Sequence, residues 1–239
     1  MILASNCPHD NGIYTIVDNA EGVVIKSSYT AEGIARLSWE YAGYQWYLRQ
    51  KGTFENTPLR FVRHDNGLYG RLFIKLFSGR TGECYKSLGF NRRDLLRAID
   101  AYAKVWPRQE GALSPLHGDF SLGNLIIREE EISIIDWEHF RLDAAPWGFD
   151  LVNLLYESAF FSLKGKNSLS RSDAKVFIKT RKEICKMLNR GEDFNCTIEN
   201  LILFISTNAF VWGNLVNKLP VMKFSDAQKS FLKLLEQQV

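Results

Sequence analysis

Asp119 and Asn124 stand five positions apart in the run His117-Gly118-Asp119-Phe120-Ser121-Leu122-Gly123-Asn124, and Asp136 follows the apolar residues Ile134-Ile135. A loop of that length lets the Asp119 carboxylate face an acceptor hydroxyl while the Asn124 amide oxygen turns back towards a metal. Asp136 lies where a strand gives way to a loop, a place from which its carboxylate can aim at the same metal. Phosphoryl transfer asks for little covalent help. It needs Mg²⁺ bridging the phosphates, an aligned hydroxyl and neutralised charge. Asp and Asn are also ordinary turn and cap residues. Three of them at these two spacings favour the chemical reading over the structural one.

These residues need elements to hold them. Residues 12–17 and 22–26 are short β-rich runs separated by Asp18-Asn19-Ala20-Glu21, a hairpin signature. Over residues 31–48, Ile34, Leu37, Tyr41, Tyr44 and Leu48 recur every three or four positions, which predicts a helix. Residues 61–63 and 72–74 read as two more strands around Asn66-Gly67. The glycine-bearing stretch at residues 77–82 is the expected boundary between two units. Beyond it, residues 92–106 predict an amphipathic helix stopped by Pro107. Strands are expected at residues 125–127 and 132–135, and helices over residues 150–163, 171–188, 198–216 and 224–235. The order is strands with one helix, then mostly helices, an α+β pattern.

The run from His117 to Asn124, then Ile135-Asp136-Trp137-Glu138, then Pro146-Trp147-Gly148-Phe149-Asp150-Leu151, resembles the aminoglycoside phosphotransferase and choline kinase superfamily. The dense likeness covers residues 116–155, and its three elements occur in the family's order. The resemblance implies a two-lobed protein-kinase-like fold. Residues 1–78 would form a small β-rich nucleotide-binding lobe, and residues 79–239 a larger α-rich catalytic and substrate lobe. By it, Asp119 is the base that accepts the hydroxyl proton, Asn124 and Asp136 hold magnesium, and Asp150 braces the catalytic loop. Val23-Val24-Ile25-Lys26 resembles the strand whose lysine holds the α/β-phosphates of ATP or GTP, and Glu40 resembles its orienting partner. Residues 72–79 resemble the interlobe hinge, where backbone groups from Ile74 to Leu76 would meet adenine. Between Ser5 and Gly12, where a phosphate-covering loop is expected, no glycine-rich run occurs.

Other side chains invite weaker assignments. His117 is expected to shape the catalytic loop rather than titrate. Glu138 is a candidate for orienting the acceptor, and Trp137 suits core or substrate site equally. His9, His64 and His139 show no ligand spacing and receive no chemical role. A strand lysine such as Lys26 adds little to a core, so its loss is expected to leave the fold intact.

Composition narrows the class. Hydrophobic residues make up 46% of the 239, enough for a substantial core, which excludes a disordered chain. The net charge of +3 gives no electrostatic case for nucleic acid. Four scattered cysteines without a C-x-x-C pair suit reduced thiols and a cytoplasmic protein. No secretory signal is read at the N-terminus, and the uncharged run at residues 200–217 is too interrupted by polar groups for a membrane span.

The expected partner is thus a small molecule. From Leu151 onward there are thirteen Lys or Arg and eight Asp or Glu, which favours a neutral or anionic acceptor over a polycation. Asp136-Trp137-Glu138 and the absence of an Ala-Pro-Glu segment argue against a protein substrate. A lipopolysaccharide-sugar kinase of similar fold and a catalytically silent pseudokinase are the alternatives.

Overall fold

Asp18 ends a strand and folds its own turn: its Oδ1 accepts the backbone N–H groups of Ala20 at 3.0 Å and Glu21 at 3.2 Å. Gly22, at φ +64°, completes the reversal in a conformation that suits a residue without Cβ. The hairpin so made joins β2 (Ile13–Asp18) to β3 (Val23–Ser28). In the computed structural model, which describes residues 2–5, 12–64, 67–82, 88–107, 113–162 and 171–187, this hairpin lies within a five-stranded antiparallel sheet. The other strands are β1 (Ile2–Ser5), β4 (Leu59–His64) and β5 (Tyr69–Lys75), and the order is β1-β2-β3-β5-β4.

Helix α1 (Ala31–Gln50) begins where Thr30, in an extended conformation, accepts the Gly33 N–H on its side chain. Such a cap is worth about 1 kcal/mol. Glu32 in the first turn and Arg49 in the last complement the helix dipole. The helix buries Ile34, Leu37, Tyr44 and Leu48 of the predicted stripe, adds Tyr47, leaves Tyr41 only partly buried, and packs on β3, β4 and β5. Gly43 sets its depth on the other side. A Cβ there would lie 2.6 Å from Cβ of Trp137, so a side chain would push the helix away from residues 137–140.

Past the sheet come β6 (Arg80–Thr81), α2 (Leu88–Val105), β7 (Leu113–Leu116), β8 (Leu125–Arg128), β9 (Glu131–Ile134), β10 (Arg141–Pro146), α3 (Phe149–Ser162) and α4 (Arg171–Met187). Strands β6, β8 and β9 form one small sheet and β7 with β10 another, while α2 packs against both α3 and α4. An antiparallel sheet followed by helices and two small sheets is an α+β arrangement. Trp106, Trp137, Tyr47, Tyr102 and Phe120 are the bulkiest wholly buried side chains. Tyr102 stacks on Trp106 at 4.2 Å, and Trp106 on Trp137 at 5.7 Å, so aromatic rings from α1, α2 and the segment after β9 close into one core.

The elements expected from sequence recur within a few residues, and α2 starts one turn earlier than its amphipathic pattern suggests. Four strands were not expected. β6 has only two residues, β7 contains Pro115, and β10 reads Arg-Leu-Asp-Ala-Ala-Pro, without the β-branched alternation that marks a strand. β1 pairs with β2 from Ile2 to Ser5. The segment at residues 6–11 and the helices expected over residues 198–216 and 224–235 lie outside the described residues. Among those described, no helix is long and apolar enough to cross a membrane.

Candidate active site

The sheet, α1 and the end of β9 meet at Lys26. Register places Lys26 opposite Thr15 of β2 and Leu72 of β5. Its ammonium lies 2.8 Å from Glu40 Oε1, 3.0 Å from Glu40 Oε2 and 2.6 Å from Asp136 Oδ1. Glu40 is fully buried in the middle of α1, where only a fixed cation makes a carboxylate tolerable. Burial pushes the Glu40 carboxyl up to about 7 against the pull of Lys26. Burial also works to lower the Lys26 pKa, yet the charges of Glu40 and Asp136 outweigh it and hold the lysine well above its ordinary value. Asp136 is the reverse case: burial would raise it, and the adjacent ammonium holds it below the usual carboxylate range. The expectation that losing Lys26 leaves the fold intact therefore gives way to a buried cation shared between two carboxylates.

Asp136 takes a positive φ of 64°, a region Asp tolerates better than most residues. The turn it makes leaves its N–H bonded to the Tyr44 hydroxyl at 3.2 Å, while Tyr47 accepts the Ile134 N–H at 3.2 Å. Two tyrosines on one face of α1 thus hold both the last strand residue and the candidate ligand after it.

Asn124 ends a short 3-10 turn, Leu122–Asn124. Its side-chain amide donates from Nδ2 to the Asp119 carbonyl and to Asp119 Oδ2, each at 2.8 Å. With Nδ2 so employed, Oδ1 is the atom left to meet a cation. Burial raises the Asp119 carboxyl above its ordinary pKa, the nearby Asp136 charge adds to this, and His139 pulls the other way. A base lifted towards working pH takes a proton more readily than one held low.

His117 accepts the Asp119 N–H on Nδ1 at 3.2 Å and lies 3.0 Å from the Ile135 carbonyl through Nε2. The two contacts select the tautomer with the proton on Nε2, which donates to Ile135. Burial lowers its pKa to about 4, so the ring is neutral and tethers the loop to the segment following β9. Asp150, in the first turn of α3, accepts the N–H groups of His117 on Oδ2 at 2.9 Å and of Gly118 on Oδ1 at 3.1 Å.

Burial pushes the Asp150 carboxyl up to about 7 despite those two donors. The folded protein then keeps, between roughly pH 4 and 7, a proton that the unfolded chain has released. This group's stabilisation is complete below the unfolded pKa and is lost as pH rises through 7. Urea unfolding of wild type and Asp150→Asn across that range is expected to show wild-type stability falling relative to the variant. The slope reaches up to about 1.4 kcal/mol per pH unit. A difference constant with pH would show that Asp150 titrates as an ordinary carboxyl.

The remaining sequence candidates fall in distinct places. Ile74 is buried inside β5, between Val24 and Leu59. The N–H groups of Lys75 and Leu76 already donate to Pro58 and Gly22, at 3.1 and 2.8 Å. Trp137 is wholly core and donates its indole N–H to Ile134 at 3.1 Å. Glu138 sits between Arg36, at 3.6 Å, and His139, at 3.3 Å. Sequence reasoning gave Tyr44 only a packing role, assigned His139 no chemical role, and passed over Tyr47 and Arg36. Helical spacing marks Tyr44 as buried, but nothing local tells that the hydroxyls of the two tyrosines cap a strand some ninety residues away.

Residues 55–168 match the family model described as the phosphotransferase enzyme family, APH. Over that span, a little under half of the 239 residues, the chain is similar to this family of phosphotransferases. The match takes in Asp119, Asn124, Asp136 and Asp150, whereas Lys26 and Glu40 precede it and rest on the geometry above. No curated protein matches the chain.

Proposed function

We propose that this protein moves the γ-phosphoryl of ATP or GTP, with Mg²⁺, onto a hydroxyl of a small neutral or anionic molecule, between the two lobes of a protein-kinase-like fold divided near residue 78. The observation that carries this reading is the ammonium of Lys26 bound at once to Glu40 and Asp136. It joins a sheet lysine, a helix carboxylate and an aspartate 110 positions away in sequence. Such a cation suits the α/β-phosphates because its partner fixes where it stands.

Mg²⁺ takes hard oxygen donors, and Asn124 Oδ1 with the Asp136 carboxylate would hold it. When bound, it would neutralise charge on the phosphates. Asp119, held by Asn124 and by the neutral His117, accepts the acceptor's proton. Adenine contact in the hinge is left to carbonyls, because the N–H groups of Lys75 and Leu76 are engaged.

Charge supports the class of acceptor. A groove of about 450 Å³ along α4 is lined by Lys175, Ile178, Lys179, Lys182, Glu183 and Lys186, and it shares no residue with the site. Its basic lining agrees with the positive balance of the sequence beyond Leu151. Like charges raise the cost of encounter for a polycation.

The test is kcat/KM for kanamycin-like compounds against neutral and phosphorylated sugars, with Mg²⁺ and then in excess chelator. Turnover on sugars that the chelator abolishes is expected. Phosphorylation of the polycations at or above ~10⁴ M⁻¹s⁻¹, an ordinary enzymatic efficiency, would overturn the acceptor class. Chelator-resistant turnover would overturn the roles of Asn124 and Asp136.

A further inference from the structure

Helix α1 carries two charged anchors one turn apart, and only Glu40 belongs to the phosphate-binding lysine. Arg36 is also nearly buried on this helix, with 8% of its surface exposed. Its Nη2 meets Glu32 at 3.0 Å and its Nη1 lies 3.6 Å from Glu138 Oε1. The same Glu138 oxygen is 3.3 Å from Nε2 of His139. The side chains of Glu138 and His139 are 19% and 17% exposed, so solvent screens this chain much less than a surface ion pair.

His139 in turn abuts the loop that holds Asp119. Gly118 adopts φ +88°, and a Cβ built on it would stand 2.6 Å from Cβ of His139 and 2.8 Å from the His139 carbonyl oxygen. The contact therefore falls on the residue immediately before the proposed base, at a position where no side chain fits.

We propose that Arg36, Glu138 and His139 form a positioning chain from α1 to the catalytic loop, so that the helix orienting Lys26 also sets the place of Asp119. This rests on the phosphotransferase reading for its consequence in turnover, but the mechanical link does not. None of the three is a catalytic residue in this scheme, since each acts through the loop. His139 also exerts the largest pull opposing burial on the Asp119 carboxyl, which fits a ring held beside it.

The experiment is a double-mutant cycle on kcat with His139→Ala and Arg36→Gln, read beside nucleotide binding and amide hydrogen exchange over residues 117–120. Glu138→Gln replaces Arg36→Gln if the latter fails to fold, and His139→Gln tests conservative rescue. His139→Ala is expected to lower kcat about tenfold, within the range seen for coupled neighbours, while the nucleotide Kd stays within about twofold. His139→Gln should recover part of the loss. The double variant should lose less than the product of the single losses, and exchange at the loop should quicken in each single variant. Unchanged exchange in His139→Ala overturns the link, whatever the activity. So does an unchanged kcat, or a double loss equal to the product. If wild type transfers no phosphoryl group, the functional reading fails, while the exchange measurement still decides whether the chain holds the loop.

Discussion

Lys26→Ala is expected to weaken nucleotide binding, reduce turnover and destabilise the fold together. The side chain is 16% exposed and its Glu40 partner 0%. Removing one member of a buried pair strands the other charge, at a cost of about 3–5 kcal/mol. In a chain of this size each kcal/mol moves Tm by roughly 2–4 °C, so a drop on the order of 10 °C should be visible by calorimetry. The double variant Lys26→Met with Glu40→Leu removes the wholly buried charge with its partner and leaves only Asp136, whose side chain is 37% exposed, without its cation, so it should recover much of the Tm. It should not recover turnover, since nothing then meets the phosphates. A Lys26→Ala protein with wild-type Tm would mean that the pair does not hold in solution. One with wild-type activity would remove Lys26 from the nucleotide site.

That expectation differs from what a strand lysine suggests in isolation, and the difference shows where sequence reading stops. The run Val23-Val24-Ile25-Lys26 and the periodic α1 were legible because each carries its signal within a few residues. The Asp119 and Asn124 spacing was legible for the same reason, and the loop between them folds back on itself through Asn124 Nδ2. What remained hidden is what distant segments do to one another. Glu40 is paired with Lys26 in the sequence only through the family resemblance, and its complete burial follows only once Lys26 stands over it. Tyr44 belongs to the apolar period of α1 and Tyr47 lies outside it, yet their hydroxyls serve Asp136 and Ile134. His139 lacks any ligand spacing and gains a partner only because Gly118 lets the loop come within contact. Strands β7 and β10 went unseen because pairing with each other, rather than β-propensity, makes them strands.

The structural role of Asp150 separates from the chemical role proposed for Asp119 on similar grounds. Both are carboxylates near one loop, and burial raises both. Asp150 gives both oxygens to backbone N–H groups, whereas Asp119 accepts from Asn124 on Oδ2 alone among the described residues. Only the second arrangement leaves an oxygen for a substrate.

Asp119→Asn is expected to give the largest loss of turnover for the smallest change in structure. The amide keeps the size of the carboxylate, and its oxygen can still accept the Asn124 Nδ2 bond that fixes the loop. What goes is the capacity to take a proton. General-base catalysis is worth ~10²–10⁴-fold, about 3–5 kcal/mol of barrier. The measurement is made on wild type and variant side by side with Mg²⁺. Nucleotide affinity is taken from calorimetry, and the rate of γ-phosphoryl transfer to whichever acceptor the wild type turns over from a single-turnover assay with labelled ATP. The expected result is a Kd within about threefold of wild type and a transfer rate lower by ~10²–10⁴-fold. Transfer at the wild-type rate with nucleotide bound would contradict the assignment of Asp119 as the base.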